Sequence, residues 1–239
     1  MYRVRESEDN VVKRAIVMAL SVVLALIVAM PVAFGQVEQA SKPSGATGQL
    51  VAAWWQWALE EPAGQTPIEG SYDESVEPGD IQCDGSNSSE TWFLAGAISG
   101  DKIERTCTVP ADTQLFFPVF NNIFILFEGE TEQDARDYLN SYMDSVLNDP
   151  AFTYTVTVDG KEVQSKRIVR ADSPLFTLDL PENNLVGLEA GEWQAVGTGL
   201  WVTLPRLSEG EHTIEWEMSA PNVGFSQNVT YDLTVVDEG

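Results

Sequence analysis

The stretch FTYTVTVDGK at residues 152–161 is the clearest indication of a mainly-β fold. Aromatic and apolar side chains occupy every second position and threonine fills the positions between them, which is typical of a strand with one buried face. Asp159-Gly160 then predicts a hairpin turn into a partner strand over 161–170. The two-residue period returns in four further segments, at 174–180, 193–204, 211–218 and 228–236. The C-terminal half is therefore predicted to be built from strands.

Outward from this region, the N-terminal half predicts two helices and a second group of strands. One helix spans 48–60, where apolar residues recur at helical spacing before Pro62. The other begins at Thr131, whose spacing to Asp134 resembles a capping box, and ends at Asn148. The strand-like runs are Thr91–Ile98, Ile103–Val109, Gln114–Phe120 and Ile123–Phe127. We expect a single mainly-β domain over 48–239, an antiparallel sandwich or jelly roll with two amphipathic helices.

The N-terminus predicts export. Residues 15–34 carry no charge and follow a basic segment, and a small-residue cleavage site precedes Gln36. We interpret residues 1–35 as a signal peptide and 36–47 as a linker. The alternative is a retained signal anchor, since the apolar run is long enough to span a bilayer. A membrane contact is expected only through this segment, if it stays uncleaved.

Composition excludes several classes of function. The chain has 13 basic and 37 acidic residues, a formal net charge of −24. Such a chain does not suit a nucleic-acid backbone, which requires Lys and Arg to neutralise phosphates. The single histidine, His212, excludes His-rich metal sites. It shares the apolar side of its strand with Ile214, so we interpret it as a hydrogen-bonded structural residue.

Two cysteines in an exported chain predict a disulfide. Cys83 and Cys107 would close a loop of about 25 residues, which stabilises a fold by roughly 3 kcal/mol in the chain-entropy description. No CxxC motif is present, so a redox role is not indicated.

Four segments together resemble a family of uncharacterised, exported prokaryotic β-rich proteins. They are WWQWAL at 54–59, TWFLAG at 91–96, RTCTVPA at 105–111 running into LFFPV at 115–119, and LSEGEHTI at 207–214. The resemblance covers most of 48–236 and implies a secreted β-rich domain. It implies no activity and no catalytic residues.

Three tryptophans are candidates for stacking on a ligand such as a sugar ring. Trp55 is predicted to point away from the apolar face of the first helix, and Trp193 and Trp201 have like parity on one strand. Burial in the core is the alternative for each of them.

A cation site is a weaker candidate. Oxygen-bearing side chains alternate at Asp84, Ser86, Ser88 and Glu90, as at the start of a calcium loop. The glycine is misplaced and no glutamate stands at the twelfth position, so a plain polar loop is the alternative.

No catalytic motif is present in the sequence. We therefore favour a non-enzymatic binding module or an envelope-associated structural protein. Its expected partner is a carbohydrate or an envelope component, and no cofactor is expected. The alternative is a secreted hydrolase that acts on a carbohydrate-type substrate through a pair of carboxylates.

Overall fold

Two α-helices and ten strands form the framework of the computed structural model, which describes residues 45–69, 90–100 and 102–237. The helices are α1 (Ala46–Leu59) and α2 (Glu132–Leu147), and the strands are β1 (Thr91–Phe93), β2 (Lys102–Pro110), β3 (Gln114–Ile125), β4 (Thr153–Val158), β5 (Lys161–Glu162), β6 (Ile168–Asp172), β7 (Phe176–Leu180), β8 (Gly191–Leu204), β9 (Gly210–Ala220) and β10 (Phe225–Val236). Contacts group Pro43–Gly239 into one compact unit. The signal segment and most of the predicted linker lie outside the described residues and stay predictions.

The strands form two five-stranded sheets, which confirms a mainly-β, sandwich-like fold with two helices. In sheet one the order is β1–β3–β8–β6, and β7 also pairs with β8; in sheet two the order is β2–β10–β9–β4–β5. The sheets are mixed, because β1 runs parallel to β3 and β2 runs parallel to β10. Only residues 111–113 separate β2 from β3, yet the two strands lie in different sheets. Each therefore pairs with strands remote from it in sequence, a choice that local alternation does not reveal.

Most predicted elements are present with shifted ends. The capping box at Thr131 is formed, with the hydroxyl accepting from the Asp134 N–H and the Asp134 carboxylate accepting from the Thr131 N–H. The predicted turn is also formed, with positive φ at Asp159 and Gly160. The two apolar runs after residue 113 are one strand, β3, whose register shifts between Pro118 and Phe120. A proline lacks an N–H donor for the ladder, which explains an irregularity there.

Two predicted strands differ from the structure. The first, over 91–98, is paired only across β1 (Thr91–Phe93). The second, over 161–170, is broken into β5 and β6 by a 3₁₀ turn at Ser165–Arg167, and the two pieces belong to different sheets. The alternating pattern does not show where a chain leaves one sheet for the other.

The core has two parts, one on each side of sheet one. Between the sheets, Phe117 stacks on Trp216 with ring centroids 4.6 Å apart, and Trp216 stacks on Tyr231 at 5.7 Å. α2 closes part of the same face through Leu139, which packs with Val196 of β8. On the opposite face of β8, α1 buries its aromatic side chains. Neither described helix is long and apolar enough to cross a membrane.

The position of Trp55 differs from the prediction. The helical period predicts that Trp55 points away from the core, but this side chain is only 6% exposed. Its ring lies over Gly197 of β8, where an added Cβ would stand 2.4 Å from Trp55 Cδ1. Because glycine carries no side chain, the strand leaves room for a ring that the helical period alone assigns to the outside.

Candidate functional site

The three candidate tryptophans do not form a surface platform. Trp55 (6% exposed) and Trp201 (0%) both contact Trp54 inside the core beneath α1, at centroid distances of 5.0 and 5.4 Å. Trp193 is half-buried, contacts Phe127 edge-on at 5.5 Å, and donates its indole N–H to the Glu189 carbonyl at 2.9 Å. Of the three, only Trp193 keeps part of its surface open to a ligand.

The predicted disulfide and cation loop are only partly within the described residues. Cys107 lies on β2 and is 4% exposed, whereas Cys83 lies outside the described ranges, so the pairing stays a prediction. Asp84, Ser86 and Ser88 also lie outside. Glu90 is an exposed turn residue whose carbonyl accepts from the Gln114 N–H at 2.9 Å. Within the described part of the chain, no three His, Cys, Asp or Glu side chains gather as a metal site.

His212 is hydrogen-bonded on both ring nitrogens. Nδ1 lies 2.9 Å from Asp159 Oδ2, and Nε2 lies 2.9 Å from the Ser208 carbonyl oxygen and 3.3 Å from Ser208 Oγ. The hydrogen bond to Asp159 raises the pKa of His212, and the same bond lowers the pKa of Asp159.

Serine, histidine and aspartate also make up hydrolytic triads, but the geometry at His212 differs. A general base needs a free lone pair facing the nucleophile, whereas here both nitrogens face acceptors, an arrangement that favours the doubly protonated ring. His212 therefore braces the Asp159-Gly160 hairpin, in agreement with its interpretation as a hydrogen-bonded structural residue.

A row of aromatic rings where α2 meets β4 is the most distinctive surface feature of the described residues. We call it the aromatic strip: Tyr138 and Tyr142 of α2, and Phe152 and Tyr154 at the start of β4. Tyr138 is 42% exposed and Tyr154 is 40% exposed, and the two rings between them are half-buried. The strip therefore has an open ring at each end.

Ring contacts hold the strip together through one buried side chain, Phe120 of β3. Tyr138 stacks on Tyr142 at 6.3 Å with the ring planes 12° apart, and Tyr142 stacks on Phe120 at 6.2 Å. Phe120 meets Phe152 edge-on at 6.2 Å, and Phe152 contacts Tyr154 at 5.8 Å. Because each ring touches the next, the exposed tyrosines are fixed by the core rather than by the solvent.

Local sequence places each ring. Tyr138 and Tyr142 are four residues apart, so they lie on one face of α2. Phe152 directly precedes β4 and is two residues from Tyr154, so the extended chain puts both rings on the same side. Burial, together with the neighbouring Tyr138, raises the pKa of Tyr142, so this phenol stays protonated at neutral pH. Periodicity assigns these residues to the apolar faces of their elements, but it does not show where the cover over such a face ends, so the strip is not visible in the sequence.

A polar groove lies on the other side of β4. It has a volume of about 320 Å³ on the outer face of sheet two, where strands β4, β9 and β10 run side by side. Hydroxyl, amide and carboxylate side chains form its walls: Thr153, Thr155, Glu217, Ser219, Ser226 and Asn228. Tyr154, Met218 and Gln227 alternate with them along the strands, so their main-chain atoms contribute to the floor. The groove and the aromatic strip thus share strand β4.

Comparisons with known proteins do not identify a family. No protein-family profile and no curated protein matches the chain, so the resemblance to uncharacterised exported proteins stays a prediction. Among solved structures, PbICP-C in complex with falcipain-2 aligns with 62% of this chain and 100% of its own, at 8% identity and a TM-score of 0.25. The cysteine protease inhibitor EhICP2 from Entamoeba histolytica aligns over 62% and 95%, at 10% identity and 0.22.

A family 123 glycoside hydrolase from Clostridium perfringens is also similar. It aligns with 62% of this chain but only 23% of its own length, at 11% identity and a TM-score of 0.22. At such TM-scores, none of these likenesses carries an argument about this chain.

Proposed function

We propose that this chain is an exported, non-enzymatic binding module whose ligand is a glycan held on the aromatic strip. The carrying observation is the pair of exposed tyrosines, Tyr138 and Tyr154, joined by a continuous series of ring contacts. A sugar ring has an apolar C–H face that packs on an aromatic ring and hydroxyls around its rim that need polar partners.

Polar groups lie near both ends of the strip. Thr153 and Thr155, the exposed neighbours of Tyr154 on β4, have their side chains on the opposite face of the strand, toward the groove. Near α2, the Asn222 amide donates to the Ser145 carbonyl at 2.8 Å, which leaves the amide oxygen of Asn222 at the surface. The exposed Ser145 hydroxyl donates to the Tyr142 carbonyl at 2.7 Å and can still accept a hydrogen bond. This combination of rings with adjacent hydroxyls and amides suits a sugar better than a purely apolar ligand.

The size of the strip favours a glycan over a protein partner. A stable protein interface buries roughly 800 Å² on each partner and centres on a fully desolvated apolar cluster. The strip offers two rings that are each less than half exposed. Two partly exposed tyrosine rings can stack on a few sugar rings, but they are too small for a stable protein interface.

Binding is favoured over hydrolysis because the described lining of the groove does not hold two facing carboxylates. Glycoside hydrolysis needs two carboxyl groups on either side of the scissile bond, roughly 5–10 Å apart. Glu217 is the one carboxylate among the described residues that line the groove. Burial raises the pKa of Glu60, the other notable acid, but its carboxylate accepts from the Asp179 N–H at 3.0 Å and so joins α1 to β7.

The test is direct binding of the purified protein to glycans. We would measure retardation in native gels that contain a neutral glucan, xylan or glucomannan, and pull-down on cellulose and chitin. We expect retardation or retention with at least one polymer, and a loss of it in Tyr154→Ala. The matched variant Tyr154→Phe, which keeps the ring, should bind like the wild type. Absence of binding to every polymer would contradict the proposal.

A further inference from the structure

The groove next to the strip contains a carboxylate–amide pair with unused acceptor capacity. Asn228 Nδ2 donates to Glu217 Oε1 across the β9–β10 pair, where the two residues stand directly opposite each other. This bond occupies one oxygen of Glu217 and the amide nitrogen of Asn228. Glu217 Oε2 and Asn228 Oδ1 then remain as acceptors for a ligand in the groove.

The remaining groove walls supply short hydroxyls that both donate and accept. Thr155 stands opposite Glu217 on β4, and in the next row Ser219 stands between Thr153 and Ser226. Two adjacent acceptors surrounded by hydroxyls match the vicinal hydroxyls of a sugar, or the ammonium group of an amino sugar.

The negative charge in the groove distinguishes neutral from anionic glycans. Glu217 is a carboxylate inside the groove, and the chain as a whole carries −24. Lys102 of β2 stands opposite Asn228 and is the nearest cation in this row of the sheet, but it forms an ion pair with Glu104. A uronic acid or sulfated sugar would place a like charge beside Glu217, which disfavours binding.

One ligand can reach both the groove and the strip. Only strand β4 lies between them, and the edge of this strand is open. β5 pairs with β4 only at Thr157 and Val158, so no strand among the described residues covers the edge over Thr153–Thr155. Tyr154 lies on one face of this segment, and its two threonine neighbours lie on the other. A flexible chain that stacks on Tyr154 passes over one strand to reach the groove.

We propose that the Glu217–Asn228 groove is a second subsite for the glycan held on the strip, and that it selects neutral or amino-sugar chains long enough to cross the edge of β4. This rests on the proposed function. The groove supplies hydrogen bonds, the strip supplies stacking, and a disaccharide reaches only one of them.

Isothermal titration with oligosaccharides of defined length tests this subsite. The ligands are cellobiose, cellohexaose, chitobiose, chitohexaose and hexagalacturonate, measured against wild type and Glu217→Gln. Glu211→Gln is the matched control, since Glu211 lies on the same strand and outer face but outside the groove. We expect at least one neutral hexamer to bind roughly tenfold more tightly than its dimer, a difference of about 1.4 kcal/mol. Glu217→Gln should reduce that difference, and hexagalacturonate should bind more weakly than the neutral hexamers.

The outcomes separate the two proposals. If dimer and hexamer bind alike, or if Glu217→Gln matches the control, the subsite is refuted while glycan binding by the strip stands. If hexagalacturonate binds as tightly as the neutral hexamers, the charge selection is refuted. If no oligosaccharide binds the wild type, the proposed function fails and the subsite fails with it.

Discussion

Trp55 of α1 occupies the space that a side chain at Gly197 of β8 would fill. An ideal Cβ on Gly197 would lie 2.4 Å from Trp55 Cδ1 and 2.6 Å from Trp55 Nε1. The same helix approaches β6 equally closely at Gly48, where a Cβ would lie 2.7 Å from the Asp172 carbonyl oxygen. The docking of α1 on sheet one therefore depends on two glycines, Gly48 in the helix and Gly197 in the sheet.

We predict that Gly197→Ala destabilises the protein by overpacking, by about 1–3 kcal/mol. The added methyl group must displace a large, buried ring that is rigidly held against Trp54. Urea denaturation followed by tryptophan fluorescence measures the effect. Gly45→Ala is the control, since a Cβ there meets nothing within 4 Å. A loss no larger than that of the control would contradict the close-packed docking of α1.

Stability should depend on pH through the His212–Asp159 contact. The folded-state pKa of His212 is raised above 6.5, so its contribution is complete below about pH 6.5 and is lost as the pH rises through the folded-state value. The pKa of Asp159 is lowered from 3.8, so its contribution is present above that pH and is lost as the pH falls through the lowered value.

The contact should therefore contribute most between about pH 4 and 6.5. We expect the wild type to lose stability between pH 6 and pH 9 relative to His212→Gln, measured as the midpoint of urea unfolding at each pH. Parallel profiles for the two proteins would show that the contact does not titrate.

Removing an exposed ring of the aromatic strip should affect binding more than stability. We expect Tyr138→Ala to weaken glycan binding roughly two- to twelvefold, the range that follows from losing one aromatic contact of about 0.5–1.5 kcal/mol. The melting temperature should fall only slightly, because the ring is 42% exposed. Leu175→Ala, a similarly exposed side chain outside the strip, is the control. An equal effect of both variants on affinity would refute the role of the strip.

The predicted disulfide has a chemical test. If Cys83 and Cys107 are bonded, the denatured and unreduced protein should show no titratable thiol. The double variant Cys83→Ser/Cys107→Ser should lose about 3 kcal/mol of unfolding free energy, since the unfolded chain regains a loop of about 25 residues. Two thiols per chain before reduction would exclude the bond.

The capping box of α2 should set the stability of the helix that carries half of the strip. We expect Thr131→Ala to cost about 1 kcal/mol, because it removes the acceptor for the Asp134 N–H. Gln133→Ala is the control, since its amide donates only to the exposed Asp137 carboxylate on the same helix. Equal unfolding free energies for the two variants would show that the cap contributes nothing.

Most of the secondary structure could be predicted because it is coded locally. Strands β7, β9 and β10 follow a two-residue period, α2 begins at a recognisable cap, and the hairpin at Asp159-Gly160 needs residues that accept positive φ. Each signal lies within about a dozen residues and is independent of the rest of the chain.

The candidate site could not be predicted in the same way. Tyr154 and Val156 have the same parity on β4, yet Val156 is 1% exposed and Tyr154 is 40% exposed. Trp55 shows the reverse case, since a residue assigned to the outside of a helix is buried over a glycine. Periodicity identifies the face to which a side chain belongs, but exposure depends on what covers that face.

Local patterns in the amino-acid sequence were enough to predict a mainly-β fold, both helices and the hairpin turn, and the composition alone disfavours nucleic acid. The folded chain was needed to show that two strand pairs run parallel, that Trp55 and Trp201 belong to the core, and that Tyr138 and Tyr154 end one aromatic strip. Backbone propensity and alternation act between near neighbours, whereas strand partners and solvent exposure are set by contacts between residues far apart in the chain.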